Sequence, residues 1–209
     1  MASSNHAKHG DEFIVTSHLA MCLDFANTLA YRGSSPVESL QRFADLLKWC
    51  VDTALLPPRL ADQLRGWPER HHKRAADIFS EAIALREVIY RVFHAIASGA
   101  NPVEPDLDFL NRALRDAPAR TTIQRVDDHF GWRFEESKPS ANSILAPAVW
   151  SAGDLLAGPQ LKKLRECSND KCLWLFLDDS KNGTRRWCSM QACGNRAKAR
   201  RHYLRQKQS

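Results

Sequence analysis

The sequence predicts a mainly α-helical chain with a small β-hairpin. A helical N-terminal domain is followed by a C-terminal treble-clef-like module, in which a hairpin leads into a helix around four cysteines. Three observations carry this reading. Apolar residues recur at helical spacing through most of the first 158 positions, four of six cysteines fall in two close pairs, and positive charge gathers around those pairs. A hydrophobic fraction of 44% is enough to build a core, whereas no apolar run reaches the roughly 18 residues of a membrane helix. Residues 1–13 lack the apolar run of a secretory signal and read as a flexible leader, so a cytoplasmic location is expected.

The helical elements follow in order. Residues 39–50 place Leu40, Phe43, Leu47 and Cys50 three or four apart, giving one apolar stripe that ends before Pro57-Pro58. Residues 69–98 carry the strongest periodicity, through Leu85, Val88, Ile89, Val92, Phe93 and Ile96, with Gly99 as the stop. Trp67, His71 and His72 lie in charged surroundings and read as solvent-facing, while Tyr90 and His94, one turn apart, read as a core pair. Leu107, Leu110, Leu114 and Ala117 continue the helical period up to Pro118. Residues 121–126 and 132–135 then read as two short strands around a turn at 127–131. A helix is expected over 141–157, and Gly158-Pro159 divides the chain into domains of 1–158 and 159–209.

The cysteines are Cys167, Cys172, Cys188 and Cys193, spaced x4, x15 and x4. Zinc favours tetrahedral thiolate coordination, and two close pairs around a hairpin-length insert can supply it. The strand-like run Leu173–Leu177, the turn chemistry of residues 178–183 and a returning strand at 184–187 form the expected hairpin. Neither pair has the Cys-x-x-Cys spacing of a redox motif. Four protein ligands leave no open coordination position, so the expected cofactor is one structural zinc ion. On this reading Cys188→Ser loosens the module and leaves residues 1–158 folded.

From residue 159 onward, 13 Lys and Arg face 4 Asp and Glu, a net of +9, against −3 for the remainder of a chain whose total is +6. Such asymmetry points the tail toward a polyanion. The candidate contacts are Arg185, Arg186, Arg196, Lys198, Arg200, Arg201 and Arg205. Arg186 and Arg196, near ligands, are also placed to offset the −2 charge of a zinc tetrathiolate. Gly194 is read as giving a backbone conformation or a close approach that a side chain would forbid. DNA is the expected partner. RNA uses the same charge, with Trp174, Trp187 or Tyr203 available to stack, and a zinc-stapled protein-interaction module is the third reading.

Cys193-Gly194-Asn195-Arg196, together with Trp174–Asp178 and Arg185–Met190, resembles the CGNR zinc fingers. Leu23–Thr28, Leu85-Arg86-Glu87 and Trp150–Leu156 resemble the helical ABATE domain that accompanies such fingers, with Ala26 standing where a larger aliphatic residue is expected. The resemblance covers nearly the whole chain and implies a bacterial transcription regulator. In the helical domain, Asp24 and Asn27 are candidate polar anchors of a small-molecule effector pocket, with Phe25 and Trp150 as walls. The competing reading gives Asp24 and Asn27 hydrogen bonds to neighbouring backbone. No catalytic triad or glycine-rich phosphate loop occurs, so an enzyme is not expected. One small finger reads only a few base pairs, so a homodimer is expected, meeting through the 69–98 helix or its neighbours.

Overall fold

In the computed structural model, which describes residues 13–15, 18–56, 58–126, 129–134 and 140–207, one long helix organises the body. In chain order the elements are β1 (Phe13–Val15), α1 (Met21–Ala26), β2 (Leu29–Ala30), β3 (Val37–Glu38), α2 (Phe43–Asp52), α3 (Pro58–Arg65), α4 (Trp67–Arg70), α5 (His72–Ala97), α6 (Glu104–Asp116), β4 (Thr122–Val126), β5 (His129–Phe134), α7 (Ala141–Ile144) and α8 (Ala146–Ala157). A 3-10 turn (Pro159–Lys163), β6 (Leu164–Glu166), β7 (Leu175–Leu177), a wide π-type turn (Met190–Gly194) and α9 (Asn195–Lys207) complete it.

The α5 stripe of Ala75, Ile78, Ala82, Leu85, Val88, Ile89, Val92 and Phe93 is buried against α1, α2, α6 and α7. Each fully buried large aliphatic or aromatic side chain contributes about 1.5–3 kcal/mol, so this helix supplies much of the core. Gly99, at φ 77°, ends it: the Ala100 N–H reaches back to the Ala95 carbonyl (2.8 Å) and the Gly99 N–H to Ile96 (3.0 Å). Two bonds of this kind form the left-handed cap that glycine permits. α8 lies against α1, where the buried Ser151 hydroxyl accepts from the Cys22 N–H (2.9 Å) and donates to the Leu19 carbonyl (3.0 Å). Burial pushes the Cys22 thiol up to about 12 and raises Cys50 further still, so both are core residues with no thiolate chemistry at neutral pH.

Several expectations are corrected. Phe13, placed in the leader, begins β1, while residues 1–12 of that leader, Pro57, Asp127 and Asp128 lie outside the described residues. β1, β5 and β4 form an antiparallel sheet in that order. His129, Phe130 and Gly131, read as turn, belong to β5 and pair with Val126, Arg125 and Gln124, because antiparallel strands need only a two-residue connection. Pro147 restarts the 141–157 helix as α8, and His71 separates α4 from α5. Trp67 is half-buried rather than solvent-facing, packed on Phe43 (6.1 Å) and His71 (4.8 Å).

The C-terminal hairpin also differs. β7 pairs with β6, not with residues 184–187, in the register Leu164↔Leu177, Arg165↔Phe176 and Glu166↔Leu175. A carboxylate takes the place of the expected strand pairing. Asp178 accepts from the Ser180 N–H (3.0 Å), the Ser180 hydroxyl (2.5 Å) and the Arg185 N–H (2.9 Å), which closes the 178–185 loop on itself. Those bonds, the Ser180 hydroxyl first, hold the Asp178 carboxyl below its usual range.

Candidate metal centre and basic helix

The first cysteine pair sits on the connection between β6 and β7. Cys167 follows β6, and the chain reverses at Asn169, whose carbonyl accepts from the Cys172 N–H (2.8 Å). Leu173 completes the reversal at a left-handed φ of 57°. The second pair flanks the wide turn before α9. There the Ser189 hydroxyl accepts from the Ala192 N–H (3.4 Å), as a side-chain cap does. Gly194 adopts no positive φ, and a Cβ there would crowd only the end of the exposed Met190 side chain (2.8 Å to its sulfur), which can shift.

The four sulfurs lie within 4.8 Å of one another, and Cys172–Cys188 and Cys188–Cys193 are both 3.7 Å apart. A zinc–sulfur bond of about 2.3 Å places tetrahedral ligands roughly 3.8 Å apart, whereas a disulfide needs about 2.0 Å. The donor set therefore fits one four-coordinate zinc ion, which supplies a crosslink among two turns and a helix start. Asn169 adds an outer contact, its amide donating to the Cys193 sulfur (3.3 Å). Hydrogen bonds from Cys172 and then Cys188 hold the Cys167 thiol below its usual range.

Among the described residues, Asn27, Tyr90 and His94 fasten the hairpin to the helical body by polar contacts. The Asn27 amide donates to the Leu175 carbonyl (2.8 Å) and its oxygen accepts from the Leu175 N–H (3.0 Å), completing the free edge of β7 as a strand would. The Tyr90 hydroxyl donates to the Leu173 carbonyl (3.4 Å), and His94, stacked on Tyr90, pairs with Glu166. Tyr90 and His94 thus form the expected stacked pair, with Tyr90 in the core, and both also belong to this seam. Leu164 and Leu175 join the main core from the metal side.

Of the predicted effector residues, Asp24 and Asn27 line a cavity of about 510 Å³ at this seam, with Trp49 and Trp174 among its walls. Burial, partly offset by His18, raises the Asp24 pKa. Phe25 and Trp150 do not line the cavity. Phe25 is fully buried 5.2 Å from Trp49, and Trp150 packs separately with Ala146 near Trp132.

The predicted basic residues separate into groups. The Arg185 guanidinium is committed locally, donating to the Trp187 carbonyl (2.9 Å) and the Cys188 carbonyl and lying over Phe176 (4.4 Å). Arg186 lies over Trp187 (5.3 Å) and Arg196 over Tyr31 (5.1 Å). On α9, Arg196 and Arg200 share the face turned toward the zinc turn, whereas Lys198 and Arg205, seven positions apart, share the opposite face. All four are exposed, and the Arg201 side chain lies outside the described residues. Tyr31 was not among the sequence candidates, because only the docking of its turn against the zinc module brings it to α9.

A comparison with curated proteins found no match. Residues 163–206 match the family model of the CGNR zinc finger. Residues 19–159 match the ABATE model, described as a "putative stress-induced transcription regulator". That match spans well over half of the chain: the protein belongs to the ABATE family and ends in a CGNR zinc finger.

Proposed function

We propose that the chain is a DNA-binding transcription regulator in which zinc fixes α9 and α9 meets the duplex. The observation that carries this reading is the outward face of that helix. Lys198 and Arg205 project from it on the side away from the zinc turn, in a segment whose charge exceeds what a tetrathiolate of charge −2 needs. Lys198→Ala and Arg205→Ala should each weaken duplex binding about equally across sequences and lower the salt slope by about 1. Binding that does not respond to salt would sink the reading and favour a protein-interaction role. Tighter binding of RNA than of DNA of the same sequence would move it to RNA.

A single finger helix covers few base pairs, which favours two copies acting together. Because α5 turns its apolar stripe into its own core, a second copy would meet other faces.

Ligand sensing has its own support at the seam cavity. Trp174 lines that cavity, and its Nε1 is buried without a partner among the described residues. An unsatisfied buried donor invites an acceptor group. A small effector there would touch α1, α2 and the metal hairpin together. If so, Asp24→Asn and Trp174→Phe should abolish any thermal stabilisation found by screening small polar molecules. Stabilisation that survives both changes places the effector elsewhere.

A further inference from the structure

We propose that the groove between the Tyr31 turn, the zinc turn and α9 binds one unpaired nucleotide unit, its base against aromatic rings and its phosphate among guanidinium groups. The inference rests on the reading of α9 as a nucleic-acid-facing helix, but it uses the other face of that helix.

The groove has a volume of about 890 Å³, within the range of small-ligand sites. Lys171, Arg186, Arg196 and Arg200 line it against a single carboxylate, Asp170. None of the four forms an ion pair with a carboxylate among the described residues. A zinc tetrathiolate offsets at most two of these charges, so a surplus faces the groove. Two aromatic rings stand on the same walls, and each already carries a guanidinium: Arg186 over Trp187 and Arg196 over Tyr31. Arginine beside an aromatic face is the combination that takes a base by stacking and its phosphate by bidentate hydrogen bonds.

Tyr31 is also held in place with unusual insistence. It adopts a left-handed φ of 56°, a strained conformation for a residue with a ring. Such strain persists only where the surroundings over-determine it. Here Arg32 is clamped by Glu87 (2.6 and 3.0 Å) and by the Ala26 carbonyl (3.1 Å). The next residue, Gly33, packs so closely on the connection between Cys167 and Cys172 that a Cβ would stand 1.9 Å from the Asp170 carbonyl oxygen. The body thus delivers one aromatic ring to a groove otherwise built by the finger. A paired base inside a duplex cannot enter such a recess; an unpaired base or a free nucleotide can.

The test titrates the zinc-loaded full chain with adenosine monophosphate, an eight-nucleotide single strand and a 16-base-pair duplex, followed by calorimetry. Tyr31→Asn removes the ring while tolerating the left-handed backbone, and Arg200→Gln removes one charge from an exposed helical position. Tyr31→Asn should weaken single-strand binding about tenfold or more, the range expected for a lost stacked base, and Arg200→Gln should weaken it about tenfold, as for a lost charge-assisted hydrogen bond. Duplex binding should change less than about twofold. If the monophosphate binds and responds to the same variants, a free nucleotide is a sufficient ligand. If only the strand binds, the unit must belong to a chain; both results support the groove. Affinities unchanged by either variant, or no binding of strand and monophosphate, overturn it. Strand binding without duplex binding would keep the groove and remove the proposed function, and duplex binding alone would do the reverse.

Discussion

Replacing Arg86 with alanine is expected to destabilise the folded chain by about 3 kcal/mol or more, the typical loss when one partner of a buried ion pair is removed. Arg86 lies in the middle of α5 and is only 2% exposed. Its guanidinium meets Glu38 through two bonds (2.6 and 2.7 Å), Glu87 through Nε (2.9 Å) and the Thr28 hydroxyl (3.3 Å). Glu87 in turn receives Arg32, so two cations and two carboxylates form one neutral network. Burial alone would raise the Glu87 pKa, but the hydrogen bonds and charges of Arg32 and Arg86 outweigh it and hold the carboxyl low. A carboxyl held low stabilises the fold at neutral pH and loses that contribution as pH falls through its folded pKa. Arg86→Ala leaves Glu38 without its guanidinium partner and Glu87 with Arg32 alone, and the melting temperature should fall by roughly 6–12 °C for a chain of this size. Lysine cannot reach both carboxylates with a planar fork, so Arg86→Lys should recover only part of the loss. A double variant, Arg86→Met with Glu38→Gln, should recover more, because Arg32 and Glu87 still neutralise each other and no buried charge is left unpaired. Equal melting temperatures for wild type and Arg86→Ala would refute the stabilising role. Because Glu38 and Thr28 frame the turn that presents Tyr31, the same substitution should also weaken any ligand held in the adjoining groove.

That network illustrates what the sequence conceals. Arg86 was legible as part of the ABATE-like Leu85-Arg86-Glu87 motif, but its role was not, since its partners lie up to 58 positions away and carry no spacing signal. The apolar stripe of α5 was legible because burial of one helix face imposes a 3.6-residue period directly on the chain. The four cysteines were legible for a similar reason: metal geometry restricts ligand type and separation together. The hairpin shows where local reasoning fails. The run Leu173–Leu177 does contain a strand, but proximity suggested a partner at 184–187, whereas the true partner lies before the first cysteine pair. Asp178 followed by Ser180 was the available clue, since an aspartate bonding two residues ahead closes a loop without strand pairing. Asn27 was recognisable as a polar residue in an apolar run, yet its partner, Leu175, depends on how the hairpin docks. Local pattern reveals what a segment is; it does not reveal which distant segment it meets.

Removing the metal should have the widest consequence of all. Structural zinc sites hold their ion with an apparent free energy of about 10–16 kcal/mol, more than a segment the size of β6 to α9 can replace by packing. Chelation, or Cys188→Ser, should therefore release zinc and sharply increase amide hydrogen exchange from Leu164 through α9. Thiolates must be deprotonated to bind, so protons compete and the affinity should fall as pH falls. The body holds an extensive core of its own around α5, and the sequence alone leads one to expect residues 1–158 to stay folded. The docking contacts refine that expectation. Leu164 and Leu175 are buried in the main core, and Leu175 is bonded at both backbone groups to Asn27. Losing the metal side should therefore expose apolar surface on the body and leave the Asn27 amide without its partners. Exchange should rise in α1 and toward the C-terminal end of α5, where Tyr90 and His94 meet the hairpin, while α2 and the middle of α5 remain protected. A Cys188→Ser variant that keeps stoichiometric zinc, or a chelated protein with unchanged exchange beyond residue 164, would refute the tetrathiolate crosslink. Exchange that rises only beyond residue 164 would instead mean that the seam adds nothing to the body. The predicted spread into α1 is what would let an event at the seam be felt at the metal, and through the metal at α9.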